Sequence, residues 1–381
     1  MPNPTPTPNP TPAPTRYVLL GDAESPHLLK WARALVAATA AATSPALELW
    51  VASSRGFLPG FDALVPPQRR LALGTQPSAA GGNLAVLRQL PRLARWLKQV
   101  GAAVLHAHYL TSHGTLAWLA QRLFGVRGVL VGSAWGSDIL VAPQHSLAVR
   151  WLTRRVLRAC VLCTSDSQVM ARRMRELGAA DPMVFPFGLE AMPPEPAAKD
   201  DLLYFANRGL EPIYAPQRVL ALFAASAPPA ARLVMANDGS LRAALQAQAQ
   251  SLGLAARVQF VGRLDASTQA EWYLRARWYI SLPTSDSVAV SVLEAMAHGC
   301  VPLLSDLPAN RELVRHGDNG WIVRNGADAT AAAAASTALL PRGDAIAGAN
   351  RAWVASQALF GPGVQAFLAR LQALAPQAFR E

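Results

Sequence analysis

The stretch WYISLPTSDSVAVSVLEAMAHGCVPLLSD (278–306) reads as strand, polar turn, helix, strand. WYISLP (278–283) and VPLLSD (301–306) are apolar runs of strand length. Between them the small polar residues Thr284–Ser287 open a helix, and Gly299 closes it as a natural C′ residue. Near-continuous apolar strands joined through a helix form parallel sheets covered on both faces. The alternation continues outward. On one side comes GWIV (320–323). On the other lie RVQFVG (257–262), RLVMAN (232–237) and LLYFAN (202–207), with the helix SLRAALQAQAQSLG (240–253) ending at a glycine. A second series fills the first half: YVLL (17–20), LELWVA (47–52), AVLHAH (103–108), GVLVGSA (128–134), CVLCTS (160–165) and MVFPFG (183–188), with helices such as PHLLKWARALVAATA and TLAWLAQRLFG between them. The expected class is α/β, two doubly wound Rossmann-like domains facing across a cleft. Their boundary lies near 189–200, where EAMPPEPAAKD holds three prolines. Residues 1–15 alternate Pro with Thr, Asn or Ala and read as a disordered, polyproline-like tail outside the fold.

Composition narrows the class. The chain has 381 residues, 51% hydrophobic and 15% charged, enough for two domains and too apolar for a disordered protein. No uncharged apolar run approaches the roughly 18–20 residues of a membrane span. The start has neither the basic nor the apolar region of a secretory signal. Cys160, Cys163 and Cys300 are few and odd in number, which fits a reducing cytoplasm. Cys160 and Cys163 read as strand residues rather than a metal or redox pair. The net charge of +11 is one-sided: residues 16–188 hold 19 Lys and Arg against 8 Asp and Glu, while residues 189–381 hold 16 of each. That asymmetry calls for an acidic partner at the first half.

In open α/β sheets ligands sit beyond the carboxyl ends of the strands. The helix start at 284–290 offers unpaired N–H groups and a positive dipole end, a phosphate site. Glu294 lies eight residues after Asp286, roughly 80° round the helical wheel after two turns, so both carboxylates can face one cleft. His106, His108 and His113 admit three readings: a metal cluster, a cleft role for His108, or ordinary packing. Asp138 in WGSDIL suits acceptor binding and helix capping equally. Arg88, Arg92, Arg95 and Lys98 form one stripe of the helix-like stretch LRQLPRLARWLKQVG (87–101), with Trp96 elsewhere on the wheel. Such a helix can rest on an anionic bilayer or simply face solvent.

The 278–306 stretch resembles the donor-site signature of retaining GT-B glycosyltransferases, in particular glycosyltransferase family 4: two acids with seven residues between, then AMAHGCVPLL. HAHYLTSHG (106–114), AWGSDIL (134–140), RGLEPIY (208–214), NDGSLRAAL (237–245) and FVGRL (260–264) fall where that family has its motifs, so the resemblance covers most of residues 16–330. It implies a retaining, metal-independent hexosyltransferase without a cofactor. Its substrate would be a UDP- or GDP-linked sugar, and its acceptor a saccharide or lipid-linked saccharide of bacterial surface polysaccharide or glycolipid synthesis.

By resemblance, His108, Arg208, Asp286 and Glu294 are the catalytic set. Glu294 would hold the ribose, Asp286 would face the sugar, and Arg208 would meet the diphosphate with the amides of Ser287, Val288, Ala289 and Val290. Gly239, Ser240 and Arg263 match donor-loop positions. Asp22, Glu24, His27 and Asp138 are acceptor-side candidates. The implied layout is an acceptor-binding domain at 16–188, a donor-binding domain at 189–349, and a helix at 350–381 crossing back to the first. No Asp-x-Asp metal motif and no G-x-G-x-x-G after the first strand occur, so no metal site and no nicotinamide dehydrogenase is expected. Nucleic acid is not an expected partner. A cytoplasmic enzyme, or one peripheral on the inner face of the cytoplasmic membrane, is. The chain departs from the family in lacking a Lys near Tyr214 and in having Asp286 for the usual Glu. The alternative reading is a non-catalytic GT-B partner that regulates a true transferase.

Overall fold

The computed structural model describes residues 14–40, 46–75, 84–196, 198–324 and 338–379. The first sheet is parallel throughout, in the order β3-β2-β1-β4-β5-β6-β7. Its strands are β1 (Thr15–Gly21), β2 (Leu47–Ser53), β3 (Arg70–Ala72), β4 (Val104–His108), β5 (Val129–Ser133), β6 (Cys160–Ser165) and β7 (Met183–Val184). The second sheet, also parallel, has the order β10-β9-β8-β11-β12-β13. It comprises β8 (Asp200–Ala206), β9 (Arg232–Ala236), β10 (Val258–Gly262), β11 (Ala276–Ser281), β12 (Val301–Ser305) and β13 (Trp321–Val323). These are the two doubly wound α/β domains expected. The strand order reverses beside β1 and β4 in one sheet and beside β8 and β11 in the other. Each reversal leaves a crevice at the carboxyl ends, and the candidate residues follow those four strands.

Two local readings need correction. Thr15 already pairs with Leu47 in β1, so the fold takes in the last residue of the Pro-rich stretch; residues 1–13 lie outside the described residues. The stretch 87–101 is not one helix. A short helix ends at Arg88 and a second runs Leu90–Val100, because Pro91 has no N–H to donate and is tolerated only in a first turn. In that second helix Leu93, Leu97 and Val100 are buried, and Trp96 packs edge-on against Trp50, with ring centroids 5.9 Å apart. Beside the basic stripe Leu87 is 39% exposed, next to Arg88, while the apolar residues of the second helix turn inward.

The first core centres on the helix Pro26–Ala40. Its fully buried Trp31 meets the rings of Phe185, Phe187, Phe360 and Phe367 at 5.1–6.1 Å. Two of those rings come from the helix Phe360–Leu374, which packs on the first domain. The preceding helix, Gly343–Gln357, belongs to the second domain's core through Ile346 and Val354. The chain crosses at Ala358–Phe360, where Leu189 N donates to Ala358 O (3.0 Å) and Phe360 N to Leu189 O (2.8 Å). Gly188 is required there, since a Cβ would collide with the Ala358 carbonyl oxygen.

Candidate active site

Arg208 stands two residues beyond β8. Its Nη2 reaches Asp286 Oδ2 at 2.6 Å, its Nη1 donates to Ser291 Oγ at 3.1 Å, and its guanidinium lies over the Tyr214 ring at 4.5 Å. Tyr214 thus packs on the cation at the place where the resemblance expects a second one. The helix Val290–Ala297 begins only after Asp286, so the wheel argument fails: Asp286 is on the turn, and the fold of that turn, not helical period, brings it to Arg208. Glu294 is on the helix, half-buried. Tyr273 Oη donates to its Oε2 at 3.2 Å and Gln269 Nε2 at 3.4 Å. Burial raises the pKa of both acids. Arg208 and the Ser287 amide pull Asp286 back, while the Tyr273 hydroxyl, Lys30 and Arg208 pull Glu294 back.

The amide turn is not open to solvent. Ser287, Val288 and Ala289 are buried. Ser287 N donates to Asp286 Oδ1 (3.0 Å), and Ser287 Oγ donates to Asp166 of the first domain and meets Ser167 Oγ at 2.8 Å. Asp166 also accepts the Val288 amide, and burial pushes its carboxyl up to about 7. In return, Glu312 of the second domain caps the first domain's helix Gln168–Glu176, accepting Gln168 N at 2.8 Å and Val169 N at 2.7 Å. Each domain therefore lends a carboxylate to amides of the other.

Gly239 and Ser240 are brought to Glu211, which accepts Ser240 N (2.9 Å) and Ser240 Oγ (2.5 Å); Arg263 is exposed near Asp238. Beyond β1, Asp22 and Glu24 share Arg55 at 3.5 and 3.6 Å. His27 faces Trp135, with ring centroids 4.8 Å apart, and burial first, then Lys30 and Arg208, lower its pKa to about 4. His108 ends β4. Its Nδ1 accepts the Trp135 indole N–H at 3.1 Å, while its Nε2 is buried without a partner. His106 lies inside the sheet between Tyr17 Oη and Ser133 Oγ, both at 2.7 Å. Among the described residues no cluster of His, Cys, Asp and Glu suits a metal ion, and all three cysteines are free. Asp138 is 1% exposed, and its two oxygens accept Trp135 N (2.9 Å) and Leu110 N (2.8 Å). It ties two loops together, and neither helix start beside it takes a side-chain cap.

Five participants escaped the sequence reading. Lys30, from the helix Pro26–Ala40, donates to Phe187 O (2.6 Å) and Gly188 O (2.7 Å); burial lowers its pKa to about 8, against the pull of Glu294 and Glu190. Tyr109 follows β4 with φ 63, strained for a non-glycine, and stacks on Trp135. Trp135, Asp166 and Tyr273 complete the set. The available signal was position alone, since Tyr109, Trp135 and Asp166 stand just past strand ends.

Residues 23–188 match the family model described as Glycosyl transferase 4-like domain, and residues 190–345 the one described as Glycosyl transferases group 1. The chain is 23% identical over 251 residues to the N-acetyl-alpha-D-glucosaminyl L-malate synthase of Bacillus anthracis, covering 62% of this chain and 65% of that one. It spans less than two thirds of the length of the curated relatives it matches. In fold it resembles Alr3699/HepE of Anabaena in complex with UDP-glucose (TM-score 0.72, 18% identity, 94% of this chain and 99% of that one). It also resembles the lipopolysaccharide outer core galactosyltransferase WaaB (TM-score 0.68, 14% identity, 93% and 100%).

Proposed function

Two glycosyltransferase domains, one in each half of a GT-B fold, are the premise from which we propose a retaining, metal-independent hexosyltransferase. The donor is a nucleotide sugar, UDP- or GDP-linked. The acceptor is a saccharide or lipid-linked saccharide of bacterial surface polysaccharide or glycolipid synthesis. The observation that carries the reading is Arg208 at the β8 end, paired with Asp286 and one helix turn from Glu294. In the proposed reaction the bond from the anomeric carbon to the diphosphate oxygen breaks, and the acceptor hydroxyl forms the new bond on the same face. The departing phosphate oxygen takes the hydroxyl proton. Charge grows on the diphosphate, and Arg208 answers it without a metal, with the main-chain N–H groups of Ala289 and Val290 and with those of Ser287 and Val288 once they leave Asp286 and Asp166. Glu294 holds the ribose and His108 lines the sugar side. Gly239, Ser240 and Arg263 flank the nucleotide, and Asp22, Glu24 and His27 the acceptor.

The UDP and UDP-glucose complexes of the Anabaena protein make UDP-sugars the first donors to try. A panel of UDP-, GDP- and ADP-sugars, read by release of nucleoside diphosphate and by the anomeric configuration of the product, tests the reading. An inverted product, or no turnover with any donor, overturns it.

No helix among the described residues is long and apolar enough to cross a membrane. Peripheral attachment at the inner face of the cytoplasmic membrane is supported instead by the helix Leu147–Ala159. It carries Arg150, Arg154, Arg155 and Arg158 and no acid, with Leu147 84% and Trp151 51% exposed. Sedimentation with anionic but not neutral vesicles tests this, and equal binding to both refutes it.

A further inference from the structure

We infer that Trp135 is a positioning residue whose indole N–H locks His108 in the Nε2–H tautomer and so keeps that N–H for an oxygen of the bound substrates. The inference rests on the proposed transfer reaction, in which His108 lines the cleft.

An indole nitrogen can only donate. With Trp135 Nε1 at 3.1 Å from His108 Nδ1, Nδ1 must be the bare nitrogen, and a neutral ring then carries its proton on Nε2. Burial keeps the ring neutral. The resulting Nε2–H is buried and has no partner among the described residues. A buried donor left unpaired is destabilising, because it has lost its hydrogen bond to water and gained none in return. The cost is relieved when a ligand oxygen accepts from it.

The neighbouring histidines show that this is specific to His108. His106 is satisfied at both nitrogens by Tyr17 and Ser133. His113 Nδ1 is 2.7 Å from the His108 carbonyl oxygen, which can only accept, so His113 holds the opposite tautomer. Of the three, His108 alone presents an unpaired N–H.

Trp135 is itself held firmly enough to impose a tautomer. Asp138 fixes its backbone N–H and, through Leu110 N, the loop that follows β4. Tyr109 stacks on one side at an interplanar angle of 16°, and Phe187 and His27 approach to 5.0 and 4.8 Å. It follows that His108 donates to substrate and does not act as the base that deprotonates the acceptor: one nitrogen is capped and the other already carries its proton.

The test replaces Trp135 with 3-benzothienylalanine, which keeps the fused rings and substitutes sulfur for N–H. Nitrogen-15 NMR of the labelled histidine rings reads the tautomer directly. The parent protein should show His108 wholly as Nε2–H, and the analogue protein a mixture of both tautomers. The loss of one hydrogen bond of about 1 kcal/mol should lower kcat by about fivefold, with thermal stability retained. Trp135→Phe is the second variant and should show the same mixture. An Nδ1–H ring in the parent, or an unchanged tautomer in both variants, overturns the inference. If the tautomer shifts as expected while no sugar donor is turned over by the parent, the Trp135 assignment stands and the transferase reading falls.

Discussion

The two walls of the cleft are built on one strand plan and treat charge in opposite ways. Past β4 and β5 the wall is His108, His113, Tyr109 and Trp135, joined by His27, while the charges past β1 and β2, Lys30 and the Asp22, Glu24 and Arg55 group, lie beside it. Burial keeps these histidines neutral, with His27 and His113 lowered to about 4. Past β8 and β11 the wall is Arg208, Asp286 and Glu294, where a 2.6 Å ion pair sets a buried cation against a carboxylate. Equivalent positions in the fold thus say where a ligand goes, while the neighbours of each side chain say what kind. A neutral wall offers directional hydrogen bonds to hydroxyls; a charged wall can answer a diphosphate.

The contrast breaks first at Arg208. Arg208→Ala should lower transfer by about 100-fold or more and weaken nucleoside-diphosphate binding measured by calorimetry. Arg208→Lys should recover only part, because the bidentate fork is lost. Unchanged affinity in the alanine variant would place the charged wall elsewhere. Glu294→Gln keeps the shape and removes the charge, and transfer should fall about 10- to 100-fold through misplacement of the reacting group. Near-normal turnover of the folded variant would reduce Glu294 to a packing residue. On the neutral wall, Asp138→Ala leaves two buried amides unpaired. It should cost about 3 kcal/mol, read as a lower melting temperature, and slow transfer about tenfold while leaving nucleotide affinity as it was. A drop in affinity like that of Arg208→Ala would erase the distinction between the walls.

The smallest effect concerns Asp166, the first-domain carboxylate set against the second wall. Its pKa is raised from 3.8 to about 7 by burial, so between those values the folded chain holds a proton that the unfolded chain has lost. Its contribution to stability is full below about pH 4 and is gone once pH has risen through about 7. The ionised form also sets negative charge beside Ser287. Nucleoside-diphosphate affinity should therefore fall several-fold between pH 6 and 8, and by less in Asp166→Asn. Parallel pH profiles for the two proteins would remove Asp166 from the donor side.

Apolar runs in the sequence disclosed every described strand but Arg70–Ala72, a three-residue edge strand with too few apolar side chains to mark it. Pro91 carried the signal for the break after Arg88, and the charge stripe hid it. Arg208, Asp286 and Glu294 were legible because they fall in short motifs next to strand ends. Asp166 was not, since its partner Ser287 is 121 residues away and nothing local marks the pair. Trp135 stood in AWGSDIL with no role assigned, and its one polar atom acquired meaning only once β4 and β5 stood side by side. Tyr109 has a conformation that glycine usually signals, and no glycine is there.

The path of the chain through Ala358 also sets a timetable for synthesis. All strands of the first domain have been synthesised by Val184, but Trp31 still lacks two of its rings, Phe360 and Phe367. The whole second domain is made in between, a delay of roughly 10–35 s at ordinary elongation rates. During that interval the second domain can close its own core, while the first carries an uncovered apolar face open to chaperones or to a neighbouring nascent chain. A chain cut short just after Gln357 therefore keeps most of the second domain's core but leaves the first without Phe360 and Phe367, and the older half of the polypeptide becomes the later half of the protein.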